Sequence, residues 1–409
     1  MTQVVDKLTE NVALVIDVPE QKRRTFNEWF NKYFLEGQTL DSQAPQIDMV
    51  AIRNSEVEQH TKEAKRRKQI AIFLPLIVSQ ILWWSAAIKH DYLELYRHYW
   101  QMPTAMIVGS TIAGMTSEAG GAVAFPVMTF VLKTSPTDAR DFSLLIQSFG
   151  MGMAMFTIIF NRIQVEWRAI TYAVVGSIPG VVLGYHCVDP FLSPAQKKMI
   201  FVSVWSSFAL SLWILNREKK RKVVEQILCF CRWKAVVLLV TGFIGGVFTA
   251  FAGSGVDICI FSITTLVFSL SEKIATPTTI ISMALTSWFA LYWRVMIIEN
   301  VSPLVWNYIR CSIPVCTIMA PFGSFLASHF HRQVLAHLVY ICEFVAMIGF
   351  LSTRPAWPLI LSSCGILIVA FVFFRLLSQQ GAKLLKTESQ TVSTTEVKQI
   401  LLKPHVETS

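Results

Sequence analysis

The stretch from Gly109 to Pro126, GSTIAGMTSEAGGAVAFP, is apolar enough to enter a bilayer, yet Gly109, Gly114, Gly120, Gly121 and Pro126 interrupt it and Glu118 stands in its middle. Such breakers weaken a continuous helix, and an acid at membrane depth is costly. Whether this segment crosses or turns back decides the fold, because every later segment changes sides with the answer.

The surroundings are those of a polytopic membrane protein. The 409 residues are 53% hydrophobic and 15% charged, with a mean hydropathy of +0.48. A membrane helix needs about 20 apolar residues. Apolar blocks occur at 69–88, 104–132, 141–161, 169–188, 199–215, 235–270, 274–297, 303–328, 335–351 and 358–376. They are long and continuous, which excludes the ten-residue alternation of an outer-membrane barrel. The first 68 residues are polar and end in KEAKRRKQ, so no cleavable signal peptide is expected. The net charge of +9 does not point to nucleic acid, because Lys62, Lys65, Arg66, Arg67 and Lys68 abut the first span and serve orientation. The eight cysteines have no zinc spacing and read as reduced thiols. No metal and no cofactor is expected.

Charge parity then reads the opening stretch. The basic cluster before Gln69 places the N-terminus in the cytosol. If 104–132 crossed once, the loop 216–234, with Arg217, Lys219, Lys220, Arg221, Lys222, Arg232 and Lys234, would fall outside. If it turns back, that loop falls inside, where the rule wants it. Two full crossings need roughly 40 residues, so 104–132 is read as a re-entrant hairpin. The block 235–270, with Asp257 among its glycines, is read as a second hairpin or a short double crossing. Both termini are then cytosolic. Irregular backbone at membrane depth must be buried or line a wet cavity.

An internal repeat follows. Residues 104–215 and 235–351 each read as a hairpin plus three helices. VGSTIAG pairs with IGGVFTA, Gly121 with Gly255, TDARDFS with SEKIATP, Trp167 with Trp306, and IPGVVLG with APFGSFLA. One unit starts outside and the other inside, so the repeats are inverted, the layout that places transporter sites near the midplane. The organisation expected is a polar tail 1–68, an extra helix 69–88, repeat 1, a basic cytosolic loop 216–234, repeat 2, a last helix 358–376 and a cytosolic tail 377–409.

GMTSEAGGAVAFPVMTF at 114–130, and GGVFTAFAGSGVDICIFSITTL followed by SEKIATPTT at 245–279, resemble the paired Gly-rich segments of the TauE/SafE family of sulfite-exporter-like proteins. GSIPGVVLG and APFGSFLAS fit as well, and the likeness covers about residues 104–376. Glu118 and Asp257 depart from the family's uncharged pattern and look like a divergent eukaryotic-type branch. The resemblance implies an all-α transporter exporting small sulfur oxyanions or organosulfonates.

Half-helix N-termini present free amides and partial positive charge, which suits an anion. The substrate-binding residues expected are Gly114, Thr116, Ser117, Gly120, Gly121, Gly253, Ser254, Gly255, Gln147 and Thr278. Small-residue packing between helices explains any single glycine equally well. Glu118 and Asp257 are candidates for proton or cation coupling, with helix capping as the competing role. Arg140, Arg294, Arg310 and Lys273 read mainly as residues snorkelling to the interface. An enzyme is disfavoured: GSGVD misses the GxGD spacing of intramembrane proteases, and a lone acid cannot run a two-carboxylate mechanism. An anion channel, or a receptor or scaffold without transport, remains the alternative. The partners expected are a small anionic solute and membrane lipid, without nucleic acid, and the sequence leaves the oligomeric state open.

Overall fold

A computed structural model of the chain describes residues 54–116, 127–128, 132–217, 223–330, 332–352 and 355–402. It is an all-α polytopic membrane protein. The helices are α1 (Asn54–Lys89), α2 (Tyr92–Tyr99), α3 (Gln101–Thr116), α4 (Pro136–Phe160), α5 (Trp167–Leu183), α6 (Pro194–Arg217), α7 (Arg232–Ala252), α8 (Val256–Ser262), α9 (Glu272–Tyr292), α10 (Pro303–His329), α11 (Arg332–Ser352) and α12 (Trp357–Leu402). Wider π turns extend α5 over Gly184–Val188, α8 over Ile263–Val267 and α9 over Trp293–Ile297. Six of the described helices are long and apolar enough to cross a membrane. Two helices outrun their apolar blocks. α1 begins at Asn54 and α12 runs to Leu402, because Glu, Gln, Lys and Arg propagate a helix that an apolar span has nucleated.

The helix starts are written locally. Ser135 caps α4, its hydroxyl accepting from the Asp138 amide at 3.1 Å and donating to Asp138 Oδ2 at 2.8 Å. Ser302 caps α10 through the Val305 amide. Ser193 and Gln196 form a reciprocal box at the start of α6. Each Ser is followed by Pro, whose missing N–H costs nothing at a first helical position.

Two sets of loops mark the two ends of the molecule. At one end, Val224 pairs with the 269–271 segment (Val224 N to Ser269 O 3.0 Å, Ser271 N to Val224 O 2.9 Å). Buried Glu166, between α4 and α5, accepts from the Ile227 amide at 3.0 Å and donates its own amide to Thr278 Oγ1 at 2.9 Å. At the other end lie Arg140, Asp189, Arg294 and Asn300, joined by the bonds given below. α7 leaves the first end beside Leu228, which accepts from Lys234. It stops at Gly253 against the Arg140 carbonyl. α8 and its π turn then bring the chain back to Leu270 beside Val224. In the first Gly-rich segment, Met102 at the start of α3 and Met128 share one apolar cluster with Ala139 and Phe142 of α4.

Helices approach closely where glycines allow it. A Cβ on Gly176 or Gly180 of α5 would overlap the Leu239 or Phe243 carbonyl of α7. One on Gly242 or Gly246 of α7 would overlap the Ala173 or Ser177 carbonyl of α5. The two glycine pairs, each spaced by four, interlock the helices backbone to backbone, the packing device that operates where lipid supplies no hydrophobic drive. Outer faces of α1 and α12 remain apolar and bare, with Leu82 66% and Val369 70% exposed, as lipid contact requires.

Candidate functional site

The centre of the molecule is the seam between α4 and α9, onto which both Gly-rich segments pack. Ala113 of α3 and Val256 and Ile260 of α8 share one buried apolar cluster with Met151, Ala154, Ile280 and Ala284. Polar side chains thread this seam: Ser143, Gln147 and Ser148 on α4, and Thr276, Thr278, Thr279, Ser282 and Thr286 on α9, all buried. Most satisfy themselves. Thr279 and Ser282 bond to carbonyls of their own helix, Ser148 donates to Leu145 O, and Thr286 shares a 2.7 Å bond with Ser177 of α5. Such local bonds are the ordinary way hydroxyls live in membrane helices.

Gln147 differs. Its Nε2 donates to Ser143 Oγ at 2.9 Å, while its Oε1 is buried without a hydrogen-bond partner among the described residues. It lines a void of about 10 Å³ together with Ser110 of α3 and Cys316 of α10, about the room of one water. The amide and the Ser143 hydroxyl can exchange roles. Turned over, Oε1 would take the Ser143 proton and Nε2 would face the void as a donor. A second cavity of about 40 Å³ is lined by Gly114, Ile158, Ile163, Lys273, Thr276, Pro277, Ile280, Ser324 and Ala327. Ala113 and Ala320 line the first void, and Gly114 and Ser324 the second, so the two follow one another along α3 and α10. Lys273 brings a cation to the second, at the end where α9 begins.

Gly114 works by packing as well as by lining. A Cβ there would overlap the Ala320 carbonyl, and Ser324 Oγ donates to Gly114 O at 3.1 Å. Thr116 donates to Ile112 O of its own helix. Ser117, Glu118, Gly120 and Gly121 lie outside the described residues.

The tip of the second segment is buried. Gly253 ends α7 with φ 84°, the left-handed conformation that favours glycine. Ser254 Oγ donates to Asp257 Oδ2 at 2.7 Å, both nearly inaccessible. Thr249 bridges the turn, donating to Gly245 O at 2.9 Å and accepting from the Val256 amide at 3.3 Å. Asp257 therefore stands in the first turn of α8, where the helix dipole favours a carboxylate. Gly253, Ser254, Gly255 and Asp257 come together, and Gly253 touches Arg140. Thr278 does not join them: its hydroxyl donates to Ile274 O and accepts from the Glu166 amide.

A charged cluster above this tip was not singled out in the sequence, where Arg140 and Arg294 read as interface-seeking residues. Arg140 is 2% and Arg294 4% exposed, and both bind Asp141, itself 1% exposed. Arg140 donates to Asp141 Oδ1 from Nε (3.0 Å) and Nη2 (2.8 Å) and to Asp189 from Nη1 (2.6 Å). Arg294 donates to Asp141 Oδ1 from Nε (3.1 Å) and to Oδ2 from Nη2 (2.7 Å), and also to Asn300 O. Lys197 closes the network on Asp189. Arg140 and Asp189 are 49 residues apart and Arg294 is farther still, so no local motif announces the cluster. The signal available was Arg294 and Asp141 inside apolar blocks and Arg140 at the edge of one, a costly placement unless they meet.

Residues 102–351, more than half of the chain, match the family described as Sulfite exporter TauE/SafE. No curated protein and no solved structure matches.

Proposed function

The chain belongs to the TauE/SafE family of sulfite exporters, and from that premise we propose that it exports a small sulfur oxyanion or organosulfonate along the seam between α3, α4, α9 and α10. At the level of the family it is a multi-pass membrane transporter of sulfite-like anions. The observation that carries the proposal is the pair of consecutive cavities beside the first Gly-rich segment, one reached by Lys273, Thr276 and Ser324, the other by Ser110 and Gln147. Lys273 and the Thr276 hydroxyl at the mouth attract and partly desolvate an anion, and the Gln147 amide, once turned over, offers a donor farther in. At about 40 and 10 Å³ the cavities hold a few waters and not a water column, which favours a carrier that opens on alternate sides over a channel.

In this reading the two Gly-rich segments belong to inverted repeats, the loops beside Val224 and Glu166 are cytosolic, and both termini lie in the cytosol. Gly253, Ser254 and Gly255 meet the anion from the end of α7, and Ser117, Gly120 and Gly121, outside the described residues, belong to the same proposal. Glu118 and Asp257 couple flux to a proton or cation gradient, a protonated carboxyl being able to donate a hydrogen bond to an anion.

The test is uptake by purified protein in liposomes of sulfite, sulfoacetate, taurine and sulfate, with and without a pH gradient. Saturable uptake of one sulfur anion is expected. Gln147→Leu is expected to abolish it and Gln147→Asn to retain part. Glu118→Gln is expected to remove the pH dependence; unchanged activity and pH dependence in that variant would eliminate the coupling role. Equal uptake by Gln147→Leu and the unaltered protein would refute the seam.

A further inference from the structure

α1 and α2 precede the family match at residues 102–351, and they do not rest loosely on the transporter body. Pro314 of α10 has no N–H to give the carbonyl four residues back, that of Arg310. The Trp83 indole of α1 takes that place, donating to Arg310 O at 2.8 Å. Gln80 of α1 donates to Pro314 O at 2.9 Å and to Thr317 Oγ1 at 3.0 Å. Tyr96 of α2 donates to Cys311 O at 2.7 Å, and burial pushes its phenol above the usual value, so it stays a donor. The proline that would leave the Arg310 carbonyl unpaired thus forms part of the dock for the extra helix.

Beside this dock a cleft of about 560 Å³ opens between α1, α4, α9 and α10. Along α10 it runs from Trp306 to Thr317, eleven residues or about 16 Å at the helical rise of 1.5 Å. Its walls are largely apolar, and the hydroxyls of Ser79, Ser148 and Thr317 are already used, all donating to carbonyls of their own helices. The Trp288 indole donates to Ser148 O at 2.8 Å. At the end toward α2 stands Arg310, half-buried, with its guanidinium 5.4 Å from the centre of the Tyr92 ring. Its side chain has one weak hydrogen bond, to Asn307 Oδ1 at 3.4 Å, and no carboxylate partner among the described residues.

A long apolar slot with one unneutralised cation at its membrane-surface end matches one class of molecule. We propose that the cleft is a phospholipid site: an acyl chain fills the slot between α1 and α10, and the headgroup phosphate pairs with Arg310 beside Tyr92. The membrane supplies the ligand, and the leaflet is the one facing α2. The transported anion does not fit here, because the walls offer it no free donor below Arg310. The cleft shares no lining residue with the two cavities of the transport seam, and the proposal does not rest on that reading. It binds α1 to the body through a third party and makes the stability of that contact dependent on the lipid.

The test uses the full chain, purified and stripped of lipid by detergent exchange, with thermal unfolding read against three added probes: dioleoylphosphatidylglycerol, dioleoylglycerol and glycerol phosphate. The phospholipid is expected to raise the unfolding temperature by several degrees, and the chains alone and the headgroup alone to do much less. Arg310→Gln should lose most of the shift and Arg310→Lys keep most of it. Ala86→Phe, which fills the slot and leaves Arg310 in place, should lose it also. Were Arg310→Gln not to fold, Arg310→Lys against Ala86→Phe still decides. An equal shift from dioleoylglycerol, or a full phospholipid shift in Ala86→Phe or Arg310→Gln, overturns the proposal.

Discussion

Replacing Asp141 by Asn tests whether the charged cluster holds the molecule together or merely decorates one end. The carboxylate is 1% exposed and accepts four N–H bonds, two from Arg140 and two from Arg294. In the cluster three cations, Arg140, Arg294 and Lys197, face two carboxylates, Asp141 and Asp189. The substitution would leave Asp189 as the one carboxylate. Arg294 would keep only the Asn300 carbonyl as an acceptor beside what the new amide offers. Removing one partner of a buried ion pair costs about 3–5 kcal/mol, because the other charge stays buried. Asp189→Asn should cost less, about 1.5–3 kcal/mol for lost charge-assisted bonds, since Asp189 and Lys197 keep 17% and 15% of their side chains exposed. The double variant Asp141→Asn with Arg294→Gln should cost less than the sum of its parts by about 0.5–3 kcal/mol. Equilibrium unfolding in detergent, followed by tryptophan fluorescence, measures these variants and the single Arg294→Gln that the comparison requires. Asp141→Asn unfolding like the unaltered protein, or Asp189→Asn costing more, refutes the argument.

Three further outcomes follow from particular contacts. Gly246→Val should destabilise by about 1–3 kcal/mol or more, because its side chain meets the Ser177 carbonyl across the α5–α7 interface; a thermal unfolding curve matching the unaltered protein would count against the glycine interlock. Glu166→Ala frees the buried Ile227 amide at a cost of about 1–3 kcal/mol, and hydrogen exchange should accelerate at Ile227 while the Ser254–Asp257 turn keeps its protection. A cysteine placed at Thr137 should react with a membrane-impermeant reagent from outside the cell and one at Gln164 only from the cytosol. Labelling of Thr137→Cys from the cytosol alone would sink the inverted-repeat topology.

How much of this could be read along the chain depends on the range of each interaction. Helices, their membrane setting and their caps are local: apolar runs of sufficient length, and Ser-Pro before α4, α6 and α10. The second Gly-rich segment is also legible, since Gly253 at φ 84° breaks the helix where glycines cluster. Gln147 could be chosen as a buried polar residue on a helix following a Gly-rich segment. Its isolation could not, because that depends on Ser110 and Cys316 from helices elsewhere in the chain. Thr278 illustrates the converse: it looked like a lining residue, and its hydroxyl is engaged by a loop 112 residues away. Arg140 and Arg294 read as reaching for the surface; Asp141 follows Arg140 directly, but only folding brings Arg294, 153 residues on, to the same carboxylate.

The sequence by itself determined the class of molecule, the helices and the family, because composition, hydropathy and Gly-rich motifs act over tens of residues at most. Tertiary structure alone decided which glycines pack and which turn, which buried polar groups are satisfied, and where charges meet. Those depend on carbonyls, carboxylates and indoles brought from distant segments. Pro314 carries both halves of the lesson. Its ring forbids a hydrogen bond to the Arg310 carbonyl wherever it sits in a helix, and only the fold brings Trp83 of another helix to make that bond instead.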